Sequence, residues 1–146
     1  MMAHSSDRMA STWGQATLPH SRAIIYAGLL LVVALAYVRS LDDPFHFDDI
    51  HSIVDNTNLR DLSQIPRYFV DPGAFSSDST LTMYRPLLLT TYAANHALSG
   101  SSPWSHHLGN VAIHGAVVIA VLELLLLLLG HSGAALLGAL LFGLHP

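Results

Sequence analysis

Three apolar blocks interrupt an otherwise polar chain. Residues 23–38 carry no polar side chain beyond the hydroxyls of Tyr26 and Tyr37. Residues 108–129 and 132–144 form two further blocks, separated by Gly130-His131. Runs of this kind predict membrane-spanning helices. As a helix, the sixteen residues of the first block reach about 24 Å, against a bilayer core of about 30 Å. Arg22 and Arg39 bracket the block and can snorkel to close the gap. The pattern predicts an all-α integral membrane protein with three transmembrane helices and one long outer loop. Residues 1–22 form a disordered cytoplasmic tail, 23–38 the first span, 39–106 the loop, 107–129 the second span and 133–146 a third, truncated one. A cleaved signal peptide is the alternative for the first block, with Ala34-Leu35-Ala36 as a small-x-small site. That site lies inside the apolar run and the leader before it is long, which favours an uncleaved anchor.

The loop carries its own signals. Asp55-Asn56-Thr57-Asn58 is a turn cluster. Ser63 is placed to cap a short helix with Pro66 in its first turn and Ile65, Tyr68 and Phe69 at the membrane interface. Asp71-Pro72-Gly73 ends that helix. Pro86 opens a second loop helix and Gly100 closes it. This helix is apolar on nearly every side, so packing against lipid or other helices is expected. Gly133, Ala134, Gly138 and Gly143 give the last helix small residues for close packing.

Composition agrees with the pattern. Half of the residues are hydrophobic (51%) and only 11% are charged, where soluble domains average about 25%. The formal charge of −4 argues against a nucleic-acid partner. All six basic residues are Arg and cysteine is absent, so the redox compartment is not marked. The loop exceeds the length over which the positive-inside rule sets orientation. No internal repeat of 20–50 residues and no GxxxxGK, GxSxG, HExxH or CxxC pattern occurs.

The candidate chemistry follows the first span. Asp42-Asp43-Pro44-Phe45-His46-Phe47-Asp48-Asp49-Ile50-His51 places four carboxylates and two imidazoles within ten residues, where bilayer meets water. Adjacent carboxylates such as Asp48 and Asp49 repel when ionised. In a partly desolvated setting one of them acts as a base near neutral pH. The same residues also suit a solvated, purely structural loop. A third reading is a divalent metal held by His46, Asp48, Asp49 and His51, whose mixed O and N donors suit Mn²⁺ or Zn²⁺. That metal is the one cofactor candidate. His107, Asn110 and His114, spaced i, i+3 and i+7, share one helix face. They face either a water-filled cavity or helix–helix hydrogen bonds. Glu123 lies deeper in the second span, as a functional carboxylate or as one that reaches the near interface.

Taken together, four motifs resemble a known family. Phe45-His46-Phe47-Asp48-Asp49 followed by Ile53-Val54-Asp55-Asn56 is similar to the first outer loop of the transmembrane tetratricopeptide-repeat O-mannosyltransferases of the GT-C superfamily. Tyr84-Arg85-Pro86-Leu87 resembles their YRPL motif. His107-Leu108-Gly109-Asn110 with His114 resembles their HxxNxxxH helix start. Residues 135–146 resemble the segment that ends in Leu-His-Pro. The resemblance implies an inverting transfer of a sugar from a polyprenyl- or dolichyl-phosphate carrier to a Ser or Thr of a protein acceptor, at the outer face of a bacterial inner membrane or the endoplasmic reticulum membrane. It implies that Asp48 or Asp49 is the general base, with Asp48 favoured. Arg85 contacts the carrier phosphate, and Tyr84, His107, Asn110, His114 and His145 line the substrate cavity. It also implies the acidic loop outside and the tail inside. Members of that family continue well past Pro146. The chain therefore reads as an N-terminal portion, inactive by itself. A non-catalytic membrane anchor or assembly module, and a metal-binding transport module, are the competing functions.

Overall fold

The structure, a computed structural model, describes residues 19–130 and 132–145, and side chains from Arg22 onward. The expected tail over residues 1–18, together with His131 and Pro146, lies outside them. All regular structure among the described residues is helical. The longer α-helices are α1 (Pro19–Tyr37), α3 (Pro86–Ser99), α4 (Pro103–Leu129) and α5 (Ser132–Leu144). A single short turn, α2 (Ile65–Tyr68), and several 3₁₀ turns lie between α1 and α3. Two helices are long and apolar enough to cross a membrane, α1 with its continuation to Asp42, and α4. Only 11% and 17% of the residues in their apolar stretches are buried, unlike those of a core helix in a water-soluble protein. α5 has 13 residues, about 20 Å of helix, which is shorter than a bilayer core.

The chain forms two compact units. Among the described residues, 19–36 with 113–130 and 132–145 make one, and residues 37–112 the other. In the first, Leu29 and Val33 of α1, Val118 and Leu122 of α4, and Ala135 and Ala139 of α5 are buried. Small residues set the spacing. A Cβ on Gly138 would lie 2.6 Å from Leu125 Cδ1, and one on Gly143 3.1 Å from Val118 and 3.2 Å from Val33. Gly133, expected to share this role, has nothing within 4 Å. Ala134 is exposed, and Ala135 and Ala139 take the buried face instead. Glu123 is paired rather than isolated. It accepts a short hydrogen bond from the Tyr26 hydroxyl, and its second oxygen lies 3.7 Å from Arg22 Nη1. A carboxylate in an apolar helix is thereby paired within its own unit.

The second unit has a core of Ile53, Leu59, Tyr68, Ala74, Phe75, Leu89 and Ala93, flanked by Phe45, Ile65, Leu88 and Tyr92. Its local structure follows the turn chemistry, with one correction. Ser63 does not cap α2. Asp61 accepts from the Ser63 N–H at 2.8 Å and starts a 3₁₀ turn over Leu62–Gln64, which runs directly into α2. Asp has the longer acceptor arm and sits where the chain is extended, so it wins the cap. Pro66 does occupy the first turn of α2. Pro86 opens α3, and Gly100 at φ +66° closes it by donating to the His96 carbonyl at 2.7 Å. That left-handed conformation is the one glycine reaches without strain.

Candidate functional site: an acidic turn beside an open groove

The acidic segment is pinned at both ends. His107 Nε2 donates to the Asp43 carbonyl at 3.0 Å, and Phe45 sets its ring edge-on to His106 at 5.4 Å. The chain then passes through Phe47 at φ +46°, with 92% of that residue exposed. A non-glycine residue in this region costs about 1–2 kcal/mol, and such positions cluster at functional sites. Asp48 and Asp49 follow, opening a turn in which the Asp49 N–H donates to the His46 carbonyl at 2.9 Å. A π-helical turn over Ile50–Val54 comes next, closed by the Asp55 N–H on the Ile50 carbonyl at 2.9 Å. Single π turns recur at functional sites. Here the turn buries Ser52 and Ile53 and leaves Asp48 outside.

The two carboxylates have different surroundings. Asp49 is half-buried, accepts from the His46 N–H at 3.1 Å, and lies within electrostatic reach of Tyr92 and His106. Asp48 keeps 91% of its side chain exposed, so the partly desolvated setting expected for the pair does not apply to it. The reason is the turn itself, which directs Asp48 away from the core side of Ser52 and Ile53. Asp48 lines an open groove of about 200 Å³ together with Phe75, Thr80, Leu81, Thr82 and Met83. His51 lines the same groove, its Nε2 3.6 Å from Asp48 Oδ1. Arg85 places its guanidinium carbon 5.9 Å from the centre of the Phe75 ring, a cation–π distance. Thr80 is held by Asp78, whose Oδ1 accepts from the Thr80 hydroxyl at 2.7 Å and the Thr80 N–H at 2.8 Å. These bonds hold the Asp78 carboxyl below the usual carboxylate range. Burial pushes the Tyr92 phenol up, with Asp49 adding to the shift and Arg85 opposing it.

The remaining predicted residues divide. Tyr84 donates its hydroxyl to the Phe69 carbonyl at 3.1 Å, a structural bond. Asn110 is exposed on α4. His107 staples the acidic loop as described. His114 and His145 belong to the other unit, where His114 Nε2 donates to the Gly143 carbonyl at 3.1 Å and so satisfies an orphan carbonyl at the end of α5. A divalent metal does not fit the predicted quartet. Among the described residues no three His, Asp or Glu side chains converge as ligands. His51 is taken by Ser76 and Asp48, while Asp49 caps its own turn.

Two site residues were not foreseen, Ser76 and His106. Ser76 shares a 3.0 Å hydrogen bond with His51 Nδ1. His106 is 2% exposed and boxed by Phe45 and Tyr92, at 5.4 and 5.8 Å between ring centres. Neither of its ring nitrogens meets hydrogen-bond geometry with a partner, although the Gly100 backbone lies close to the ring. An unsatisfied buried polar group costs roughly 1–3 kcal/mol. His106→Phe keeps an aromatic in the box and removes both nitrogens. It is expected to raise the thermal midpoint of the purified chain by a few degrees, roughly 1 kcal/mol. A lower midpoint in a scanning unfolding measurement would show that the nitrogens are satisfied.

Comparison with known proteins gives this geometry a context. The chain is 33% identical over 121 residues to the protein O-mannosyl-transferase TMTC3 of Mus musculus, covering 81% of this chain and 13% of that protein. It is 32% identical over 115 residues to TMTC2 of Homo sapiens, covering 75% of this chain and 14% of that protein. It is 31% identical over 146 residues to TMTC4 of Homo sapiens, covering 88% and 19%. The chain resembles the TMTC protein O-mannosyl-transferases. It spans less than a fifth of the length of these TMTC relatives. No protein-family model matches the chain, and no solved structure matches it.

Proposed function

We propose that this chain carries the acidic outer loop and flanking helices of a multi-pass GT-C glycosyltransferase, which moves mannose from a polyprenyl-phosphate carrier to a Ser or Thr of a protein. The observation that carries the reading is the Asp48 groove, set in a chain that matches named O-mannosyl-transferases over about four-fifths of its length. The acceptor hydroxyl enters the groove and gives its proton to the Asp48 carboxylate as its oxygen attacks the sugar C1. The bond from C1 to the phosphate oxygen breaks on the opposite face, and the configuration inverts. A solvent-facing carboxylate that lines a groove is placed to meet an incoming hydroxyl. Arg85, held over the Phe75 ring beside that groove, meets the leaving phosphate, whose oxygens its planar fork matches. Asp49 has the structural part. Its bond to the His46 N–H closes the turn that presents Asp48.

The two apolar helices flanking an acidic loop support a membrane-face location for this chemistry, with the loop on the outer side. The membrane is a bacterial inner membrane or the endoplasmic reticulum membrane. The chain spans less than a fifth of the length of its TMTC relatives, so the activity is proposed for a full-length protein that contains it. The donor is the discriminating variable. In membranes containing the full-length protein, labelled polyprenyl-phosphate mannose is expected to label protein acceptors, while a labelled nucleotide mannose, with synthesis of the lipid carrier blocked, leaves them unlabelled. Equal labelling from the nucleotide sugar would refute the lipid-linked donor.

A further inference from the structure

The side chain next to the candidate base sits at the end of a chain of hydrogen bonds. The Asp78 N–H donates to Ser76 Oγ at 2.9 Å. Ser76, 5% exposed, has one hydroxyl hydrogen, and its oxygen already accepts. Its neighbour at 3.0 Å is His51 Nδ1; if the hydroxyl donates there and Nδ1 accepts, the buried hydroxyl hydrogen also has a partner, whereas the reverse direction leaves it without one. A neutral imidazole that accepts at Nδ1 carries its hydrogen at Nε2. Nε2 is the atom that faces Asp48 Oδ1 across 3.6 Å. The ring is held in place as well, edge-on to Phe75 at 6.3 Å, and the His51 carbonyl accepts from the Ser77 N–H at 2.9 Å. Two backbone N–H groups of the segment after Phe75 therefore bear on the position and the tautomer of one imidazole.

We propose that His51 and Ser76 are positioning residues for Asp48: Ser76 fixes His51 as the Nε2–H tautomer, and that N–H draws the otherwise exposed Asp48 carboxylate over the groove. This inference rests on the reading of Asp48 as the acceptor-activating base. At 3.6 Å the pair is wider than a hydrogen bond, and a small rotation of the exposed Asp48 side chain closes it. One carboxylate oxygen then takes the His51 N–H and the other faces the acceptor hydroxyl. No proton moves through His51. The hydroxyl proton ends on Asp48.

Two measurements test this. The first uses the present chain, labelled with ¹⁵N-histidine in lipid nanodiscs at about pH 8.5, where an ordinary imidazole is neutral. The His51 ring shifts are expected to show a bare Nδ1 and a protonated Nε2, and Ser76→Ala is expected to give a mixture of tautomers. A protonated Nδ1 in the wild-type chain would overturn the proposal. The second uses transfer kinetics of the full-length protein. His51→Phe keeps the ring against Phe75 but lacks the donor. Its kcat is expected to fall about 10- to 100-fold, the range for a lost bond to a charged group, with KM for the lipid donor unchanged. His51→Gln, whose amide nitrogen reaches the same place as Nε2, is expected to recover a large part of that loss. Wild-type kcat in His51→Phe, or no difference between Phe and Gln, would overturn the positioning role. If the wild-type protein transfers no sugar, it is the transferase reading that falls, and the tautomer measurement still decides the orientation of His51.

Discussion

Replacing Asn56 by Ala is expected to destabilise the loop unit by about 3 kcal/mol, more than any other single change considered. The Asn56 side chain is 1% exposed and uses nearly its whole hydrogen-bonding capacity. Nδ2 reaches the carbonyls of Phe75 at 3.0 Å, Ala74 at 3.1 Å and, more weakly, Ser52 at 3.3 Å. Oδ1 accepts from the backbone and the side-chain nitrogen of Asn58, at 3.1 and 3.0 Å. One amide thus ties the π turn that presents Asp48 to the segment bearing Phe75, the apolar lining of the groove. Alanine takes the Asn56 donor from all three carbonyls, leaving Ala74 only the weaker 3.4 Å bond from Asn58 Nδ2, and each buried carbonyl left unsatisfied costs roughly 1–3 kcal/mol. For a chain of this size the thermal midpoint should drop roughly 6–12 °C, in the same detergent and at the same pH. Asn56→Asp should do no better, because an ionised carboxylate would face three carbonyl oxygens with no hydrogen to offer. A midpoint within a degree of wild type for Asn56→Ala would show that the tie is dispensable.

The second large effect concerns the reaction. Asp48→Asn is expected to cut kcat for sugar transfer by about 10²–10⁴-fold, the usual yield of a general base, with membrane insertion and expression intact. Asparagine preserves the size of the side chain and its place at the groove but cannot take a proton. Asp49→Asn should cost less, and through a different route. The carboxylate that caps the turn by accepting from His46 N–H becomes an amide whose oxygen can still accept. Asp42 and Asp43 are exposed and precede the turn, so their Asn variants should transfer at near-normal rates. Initial rates at saturating donor, compared across the four variants at equal expression, check this order. A greater loss in Asp49→Asn than in Asp48→Asn would move the base by one residue.

Much of this architecture was legible in the sequence where local rules govern. The apolar blocks became α1, α4 and α5, and Pro86 and Gly100 bounded α3 within a residue, because Pro, Gly and apolar periodicity act on their immediate neighbours. The site was less legible. Helical spacing put His107, Asn110 and His114 on one face, yet spacing does not say which face is buried. The buried residue is His106, one position earlier and about 100° around the helix, because Phe45 and Tyr92 close over that side. Asn56 was visible as a turn former, but its partners Ala74 and Phe75 are 18 and 19 residues away, so its tertiary role left no local mark. Ser76 had no signal at all, being one serine of several in a polar stretch. The metal reading was drawn from residue types in ten consecutive positions. His51 and Asp48 do approach each other, but no three of the side chains converge, and His51 Nδ1 is committed to Ser76.

The account stands or falls on Asp48 acting as a base on an acceptor hydroxyl at a membrane face. The most direct measurement is transfer of labelled mannose from polyprenyl-phosphate mannose to protein, in membranes holding equal amounts of the full-length wild type, Asp48→Asn and Asp49→Asn. The account predicts transfer by the wild type and its near-complete loss in Asp48→Asn, with all three proteins retained in the membrane after alkaline carbonate. Near-normal transfer by both variants would contradict it and leave the acidic turn a structural feature of a membrane anchor.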